Sequence, residues 1–311
     1  MGIAGFYSWI AQNYPSAVIK NVNPLFFDHI YIDLNYLLHM YFDQSSLDKT
    51  LNKVQSFILE LCKFKQPLKS INLCADGSAP LAKLFLQRKR RMNETLNLTN
   101  KTMMSQEVDI INSSLNLTPG CNYMNNIHIK INKLKTILEN TFDVDVIINN
   151  LECGEAEIKI KHLLLQNINR DADSSHLFVT NDADVLLILS STLNYHNIYV
   201  LMKSYNILSI RKLLELHTSK YGKSNMPGLD FCFINLLNGN DYLPKLKFST
   251  TNRLWESYKI KLNKHKQLIS IVDGKISINK KFLIDILFCF AALAGYSNIK
   301  KTKIHEYSHN A

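Results

Sequence analysis

The sequence predicts an α/β protein with a doubly wound, mainly parallel sheet flanked by helices. Short apolar runs rich in β-branched residues alternate with longer segments of helical periodicity, which is the pattern of consecutive βαβ units. Five runs are predicted strands, at residues 29–35, 70–76, 144–149, 176–180 and 197–202. The segment between the first two has helical periodicity over residues 47–64, so these two strands should lie parallel.

Composition narrows the class of protein. The chain has 311 residues, 46% of them hydrophobic, and a net charge of +10, which indicates a globular protein with an acidic partner such as nucleic acid. The six cysteines contain no C-x-x-C pair, so neither a zinc site nor a disulfide framework is indicated. The apolar run at 282–296 is too short to span a membrane, so we expect no membrane partner and a cytoplasmic location, with the nucleus as the alternative.

A tight turn and a basic helix follow the second predicted strand. Gly77 and Pro80 mark the turn after Asp76, and helical spacing puts four polar or basic side chains on one face. These are Lys83, Gln87, Arg90 and Arg91. Because arginine suits bidentate contact with phosphate, this face is a candidate phosphate site, and a solvated basic face is the alternative. The opposite, apolar face should dock on the sheet through Leu81, Leu84, Phe85 and Met92.

Acidic residues gather at or just beyond the ends of predicted strands. They are Asp33, Asp76, Glu155, Glu157, Asp182 and Asp184, and Asp241 in a later turn can join them. Because the carboxyl ends of parallel strands meet at one crevice, we expect these side chains to converge. Crowded carboxylates favour hard divalent cations, Mg²⁺ or Mn²⁺ rather than zinc. Taken singly, each acid can instead be a helix cap.

Several motifs, in chain order, resemble the N-terminal catalytic region of Xrn-type 5′→3′ exoribonucleases. They are MGIAGFYSWI (1–10), IDLNYLLH (32–39), DGSAPLAK (76–83), QRKRR (87–91), TPG (118–120), GEAE (154–157), DAD (182–184) and GNDYLP (239–244). The resemblance covers almost the whole chain and implies a nuclease core related to flap endonucleases and PIN domains. We place that domain at 1–250, with a mobile segment at 93–116, and interpret 251–311 as its helical, Lys-rich extension.

The resemblance also implies roles for the candidate site residues. All seven acids would be catalytic and would hold two divalent cations, Mg²⁺ or Mn²⁺. Lys83, Gln87, Arg90 and Arg91 would receive a 5′-monophosphate, and His39 would stack on the terminal base. The implied activity is hydrolysis of single-stranded RNA from a 5′-monophosphate end to mononucleotides, by a monomer, with DNA as a second substrate class.

The chain also departs from the family pattern. Cellular members are much longer and carry a second conserved region with an aromatic partner for base stacking. Ile158 stands where the family usually has His, and Ser78 and Leu81 differ within the phosphate segment. We expect catalysis to survive these changes. The sequence leaves open whether the enzyme is processive and whether it excludes double-stranded substrates.

Two other functions stay open. The first is a flap-endonuclease-like 5′ nuclease acting on DNA, although no convincing Gly-rich hairpin follows the acidic core. The second is a non-catalytic protein that binds 5′ ends. Retention of all seven acids argues against it, because pure binding favours fewer negative charges beside the substrate backbone.

Overall fold

A computed structural model describes residues 3, 5–20, 25–104, 114–150, 152–193, 196–202, 205–265 and 267–295. Its centre is a seven-stranded sheet. The strands are β1 (Val18–Ile19), β2 (Leu25–Asp33), β3 (Lys65–Cys74), β4 (Asp145–Asn149), β5 (His176–Val179), β6 (Ile198–Leu201) and β7 (Ile207–Ser209). All five predicted strands are present, and the short strands β1 and β7 of this sheet are additional.

The sheet has the order β1-β7-β6-β5-β2-β3-β4. The five strands from β6 to β4 are parallel. Strand β7 is antiparallel to both of its neighbours, β6 and β1, so β1 at the sheet edge runs in the same direction as those five. From β2 the chain first builds β3 and β4 on one side, and then builds β5 and β6 on the other. This confirms the predicted doubly wound sheet and creates a topological switch point beside β2, where α/β proteins bind ligands.

Eleven helices occur in the described part of the chain. They are α1 (Phe6–Asn13), α2 (Leu34–Met40), α3 (Leu47–Phe64), α4 (Leu81–Met104), α5 (Asn122–Phe142), α6 (Ala156–Arg170), α7 (Ala183–Ser190), α8 (Ile210–Tyr221), α9 (Pro227–Leu236), α10 (Thr251–Leu262) and α11 (Lys280–Leu293). None of these helices combines the length and apolar character needed to cross a membrane. The bounds of α3 match the prediction, because its apolar residues repeat regularly and Ser46 caps its first turn.

The parallel strands are buried on both faces, and alternate residues of each strand serve two separate cores. In β2, Tyr31 packs with α6, α7 and α8 on one face, while Ile30 and Ile32 pack with α3 and α5 on the other. The same alternation separates Phe178 from Leu177 in β5. Because both faces are covered by helices, ligands can approach this sheet at its strand ends.

The region after residue 250 combines two helices with a hairpin. Strands β8 (Ile269–Val272) and β9 (Lys275–Ile278) pair between α10 and α11. Trp255 and Phe282 belong to the same apolar core as Phe178 of the central sheet. Residues 296–311 of the predicted Lys-rich extension lie outside the described residues.

The predicted docking of the basic helix α4 on the sheet is wrong. Its apolar residues Leu81, Leu84, Phe85 and Met92 are between 41% and 69% exposed. The physical reason is that the helices of the two cores already cover both faces of the sheet. The predicted mobile segment 93–116 continues α4 to Met104 and ends in a 3₁₀ turn at Ser114–Leu117, and residues 105–113 lie outside the described residues. Its mobility stays a prediction.

Two turns at the strand ends hold each other in place. The Gly77 amide donates to the Gly154 carbonyl at 2.8 Å, and the Gly154 amide donates to the Ser78 carbonyl at 3.0 Å. A Cβ atom on Gly77 would lie 2.1 Å from the Glu152 carbonyl oxygen. Only glycine therefore allows the turn after β3 to contact the turn after β4.

We expect Gly77→Ala to lower the free energy of unfolding by roughly 1–3 kcal/mol, because the added methyl group forces the two turns apart. Urea denaturation measures this effect. Ser78→Ala is the matched control, since it leaves the backbone hydrogen bonds in place and should change stability little. Equal stabilities of the two variants would show that the close approach of the turns is unimportant.

Candidate active site

Asp33 and Asp182 lie at the carboxyl ends of the two central strands. Asp33 ends β2 and caps α2, accepting a hydrogen bond from the Tyr36 amide at 3.0 Å, while its second oxygen accepts from the Thr180 hydroxyl at 3.2 Å. Asp182 follows β5 and caps α7 through the Asp184 amide at 3.0 Å. Both residues are therefore helix caps, and both also face the crevice at the end of the sheet.

Asp76 fixes the position of helix α6. It follows β3, and its Oδ1 accepts a hydrogen bond from the amide of Ala156, the first residue of α6, at 2.9 Å. The Asp76 amide in turn donates to Asn35 Oδ1 at 2.9 Å. Because the start of α6 is held against the end of β3, Glu155 and Glu157 reach the same crevice.

Glu155 is 3% exposed and has partners at both carboxylate oxygens. The Lys83 ammonium lies 2.7 Å from Oε1, and the Tyr242 hydroxyl donates to Oε2 at 2.8 Å. Tyr242 is placed by a tight turn in which Asn240 Oδ1 accepts from the amides of Tyr242 and Leu243. The turn that carries Asp241 is therefore tied to the start of α6.

Lys83 and Arg90 of α4 reach into the acids. The Lys83 Nζ atom lies 2.7 Å from Glu155, 3.5 Å from Glu157 and 3.7 Å from Asp241. Arg90 Nη2 lies 2.8 Å from the other carboxylate oxygen of Asp241. Although burial opposes the charge of Lys83, these carboxylates outweigh it and raise the pKa of the ammonium, which stays charged.

One cavity of about 520 Å³ unites most of the predicted site residues. Its lining includes Asp33, His39, Asp76, Lys83, Gln87, Arg90, Arg91, Glu157, Asp182 and Asp241. Glu155 and Asp184 do not line it, although Glu155 contacts Lys83 of the lining. The acids therefore share a cavity with the four side chains of the predicted phosphate site, and His39 stands exposed at its rim.

The acids are crowded and largely removed from water. Burial, followed by the nearby Asp76 carboxylate, raises the pKa of Asp33 to about 7. Burial and then the Asp182 carboxylate raise the pKa of Asp184 to about 6. The pKa values of Asp76 and Glu157 are also raised, chiefly because burial disfavours the charged form. Negative charge in the cavity is therefore energetically unfavourable, and a bound cation would offset it.

The acids fit a hard divalent cation, although in the described ranges no three of them are gathered into a ready-made metal site. Their donor atoms are carboxylate oxygens, the type that Mg²⁺ and Mn²⁺ prefer. One oxygen of Asp184 is buried without a hydrogen-bond partner, and the Lys83 ammonium already lies among three carboxylates. The site thus attracts positive charge.

Three residues that position the acids were not predicted from the sequence. Asn35 and Tyr242 hold Asp76 and Glu155, as described above. The third is Lys159, which is 4% exposed and donates from Nζ to the Ala75 carbonyl at 2.8 Å. Each lies within four residues of a predicted acid. Asn35 and Tyr242 also lie within the motifs IDLNYLLH (32–39) and GNDYLP (239–244), whereas proximity to Glu157 is the only sequence signal for Lys159.

We expect Asp184→Asn to stabilise the cation-free protein at pH 8 by roughly 1–2 kcal/mol, because it removes a crowded charge. The folded-state pKa of Asp184 is about 6, above its ordinary value of 3.8, so the destabilising charge develops as pH rises between these values. The difference from wild type should therefore shrink towards pH 4.

Thermal unfolding in the presence of a chelator measures this difference. The exposed Asp173 supplies the control variant Asp173→Asn, which should change stability little. A wild-type protein more stable than Asp184→Asn at pH 8 would contradict the view that the acids repel one another.

Comparisons with known proteins identify the family to which this chain is similar. The family model of the XRN 5′-3′ exonuclease N-terminus matches residues 1–204. Human 5′-3′ exoribonuclease 1 is 24% identical over 299 residues, covering 79% of this chain and 17% of the human protein. The 5′-3′ exoribonuclease 1 of Saccharomyces cerevisiae is 24% identical over 337 residues, covering 90% of this chain and 22% of the yeast protein. The chain thus spans about a fifth of the length of these relatives.

A solved structure of the catalytic core of Rad2 in complex with DNA substrate has a similar fold. Its TM-score is 0.50 at 16% identity, over 96% of this chain and 80% of that chain. This likeness agrees with the flap-endonuclease-like core predicted from the sequence. Since the family model matches well over half of the chain, the protein belongs to the family defined by the N-terminus of XRN 5′-3′ exonucleases.

Proposed function

We propose that the chain is a cation-dependent nuclease that removes mononucleotides stepwise from the 5′-monophosphate end of single-stranded RNA. The observation that carries this proposal is the shared cavity, in which acids suited to a divalent cation face the polar and basic side of α4. Family membership supports the 5′→3′ direction. Since relatives of known activity are much longer, the activity of this chain alone is the point to test.

The acids would hold Mg²⁺ or Mn²⁺, two ions in our proposal. The candidate ligands are Asp33, Asp76, Glu155, Glu157, Asp182, Asp184 and Asp241. Such ions supply Lewis acidity for activating water and stabilising a leaving oxygen. The protein's own part is to hold the carboxylates in place, through the Asp76 contact with α6 and the Tyr242 contact with Glu155.

Helix α4 would select the 5′ end. Lys83, Gln87, Arg90 and Arg91 line the cavity, whereas Arg88 and Lys89 of the same helix are exposed outside it. A phosphate held by these side chains fixes how far the strand enters, so the scissile bond lies at the acids. His39 and Tyr36 from α2 also line the cavity, and we assign the stacking of the terminal base to His39.

We expect Arg90→Ala to reduce the preference for a 5′-monophosphate over a 5′-hydroxyl end by about tenfold or more. A charge-assisted hydrogen bond contributes roughly 1.5–3 kcal/mol, and the variant removes at least one. The measurement is kcat/KM on matched RNAs with each end, with 5′-triphosphate RNA and 5′-phosphorylated DNA as further arms. The variant should still hydrolyse both RNAs slowly, the one with a 5′-monophosphate and the one with a 5′-hydroxyl.

Arg88→Ala is the matched control, because it removes the same charge from the same helix outside the cavity. It should leave the end preference unchanged. If wild type showed no end preference, or if both variants lost it equally, the phosphate site would be misassigned and α4 would be a general basic face.

We also expect cation binding to release protons near pH 6.5. The pKa values of Asp33 and Asp184, about 7 and about 6, lie above the ordinary 3.8, so both acids are partly protonated there and must ionise to bind a cation. Affinity for Mn²⁺ should therefore rise with pH up to about 7. Calorimetry in buffers of different ionisation enthalpy counts the protons, and Asp33→Asn should release fewer. Binding of Mn²⁺ without proton release would contradict these protonation states.

A further inference from the structure

Two of the four proposed phosphate-binding side chains already have partners within the protein. Lys83 Nζ lies 2.7 Å from Glu155, and Arg90 Nη2 lies 2.8 Å from Asp241. The Lys83 side chain is 10% exposed, Glu155 is 3% exposed and Asp241 is 6% exposed. The Lys83–Glu155 pair is therefore buried, whereas the Arg90 side chain is 33% exposed and only the Asp241 side of its pair is buried. Separating either pair leaves a buried carboxylate without its partner unless another positive charge takes that place.

The same side chains cannot serve both the acids and a phosphate equally well. A 5′-phosphate approaching Lys83 or Arg90 in this arrangement also approaches the carboxylates of Glu155 and Asp241, and like charges repel strongly at low dielectric. Two obstacles to phosphate binding thus exist, the repulsion by the carboxylates and the existing ion pairs of Lys83 and Arg90, and a divalent cation on those carboxylates would remove both. It would neutralise the acids, and it would leave Lys83 and Arg90 without their present partners.

We propose that Lys83 and Arg90 are exchanged between the acids and the 5′-phosphate, so that divalent cation and 5′-phosphate bind cooperatively. This inference rests on the proposed function and adds a specific order of events to it. Without cation, the acids hold the two side chains and the phosphate site is incomplete. With cation, the side chains turn to the phosphate, so a 5′ end is held firmly only when the site can hydrolyse it.

The packing of α4 is compatible with this exchange. Its apolar residues Leu81 and Phe85 are 69% and 67% exposed, so the start of the helix is not locked against the sheet. A change of partner by Lys83 and Arg90 therefore disturbs few apolar contacts. In the described part of the chain, ion pairs with Glu155, Glu157 and Asp241 join this face of α4 to the acids.

Fluorescence anisotropy of the full chain tests the proposal without requiring hydrolysis. The probe is a short, hydrolysis-resistant 2′-O-methyl oligonucleotide carrying either a 5′-monophosphate or a 5′-hydroxyl, titrated with Ca²⁺ or with a chelator. The measured ratio is the Kd of the 5′-hydroxyl probe divided by the Kd of the 5′-monophosphate probe. It isolates the contribution of the 5′-phosphate, because any contact of the cation with the rest of the strand affects both probes. We expect Ca²⁺ to raise this ratio about tenfold or more.

Two matched variants separate the exchange from a general change of charge. Asp241→Asn removes the negative charge opposite Arg90 and leaves a neutral amide there, so its ratio in chelator should already be several-fold above wild type. Glu94→Gln removes a negative charge from the lining of the same cavity, but Glu94 accepts a hydrogen bond from Ser114 and is not paired with Lys83 or Arg90, so its ratio should stay close to the wild-type value.

A wild-type ratio that is the same with Ca²⁺ and with chelator would overturn the exchange while leaving the proposed function intact. Equal increases in Asp241→Asn and Glu94→Gln would overturn it as well. A ratio of one under every condition would instead show that the chain does not recognise 5′-phosphate, and the proposed function would fail together with this inference. Coupling is reciprocal, so the phosphorylated probe should tighten Ca²⁺ binding more than the hydroxyl probe does. The difference should equal the factor by which Ca²⁺ raises the Kd ratio, and calorimetry measures it.

Discussion

The burial of several carboxylates around one cavity is the constraint on which the site depends. Burial and mutual repulsion raise the pKa values of Asp33 and Asp184, so the acids are held together against their own charge. In the present structure the Lys83 ammonium offsets part of that repulsion by lying among three of them. Such a site is stabilised by positive charge, which either the basic side chains of α4 or a divalent cation can supply to the acids.

The fold brings the acids to one end of the sheet, and a few hydrogen bonds then fix the positions of individual side chains. Parallel strands on both sides of β2 bring Asp33, Asp76 and Asp182 to one edge of the sheet. The Asp76 contact with α6 then places Glu155 and Glu157, and the Tyr242 hydroxyl joins the turn of Asp241 to Glu155. In the proposed function, substrate recognition and cation binding would consequently depend on the same small set of hydrogen bonds.

Much of this arrangement could be predicted from the sequence, because periodicity and strand-end acids are local signals. The five parallel strands and α3 follow from apolar spacing, and the convergence of the acids follows from parallel topology. The exposed apolar face of α4 could not be predicted, since amphipathic spacing does not reveal that other helices already cover the sheet. The pairing of Lys83 with Glu155 was also out of reach, because it depends on side-chain distances between elements far apart in the chain.

The direction and products of hydrolysis test the central claim most directly. A 5′-monophosphorylated RNA labelled at its 3′ end, incubated with the full chain and Mg²⁺, distinguishes removal of end nucleotides from internal cleavage. The account predicts nucleoside monophosphates from the earliest time points, together with labelled strands that shorten gradually from the 5′ side. Labelled internal fragments produced at once, without mononucleotides, would contradict it.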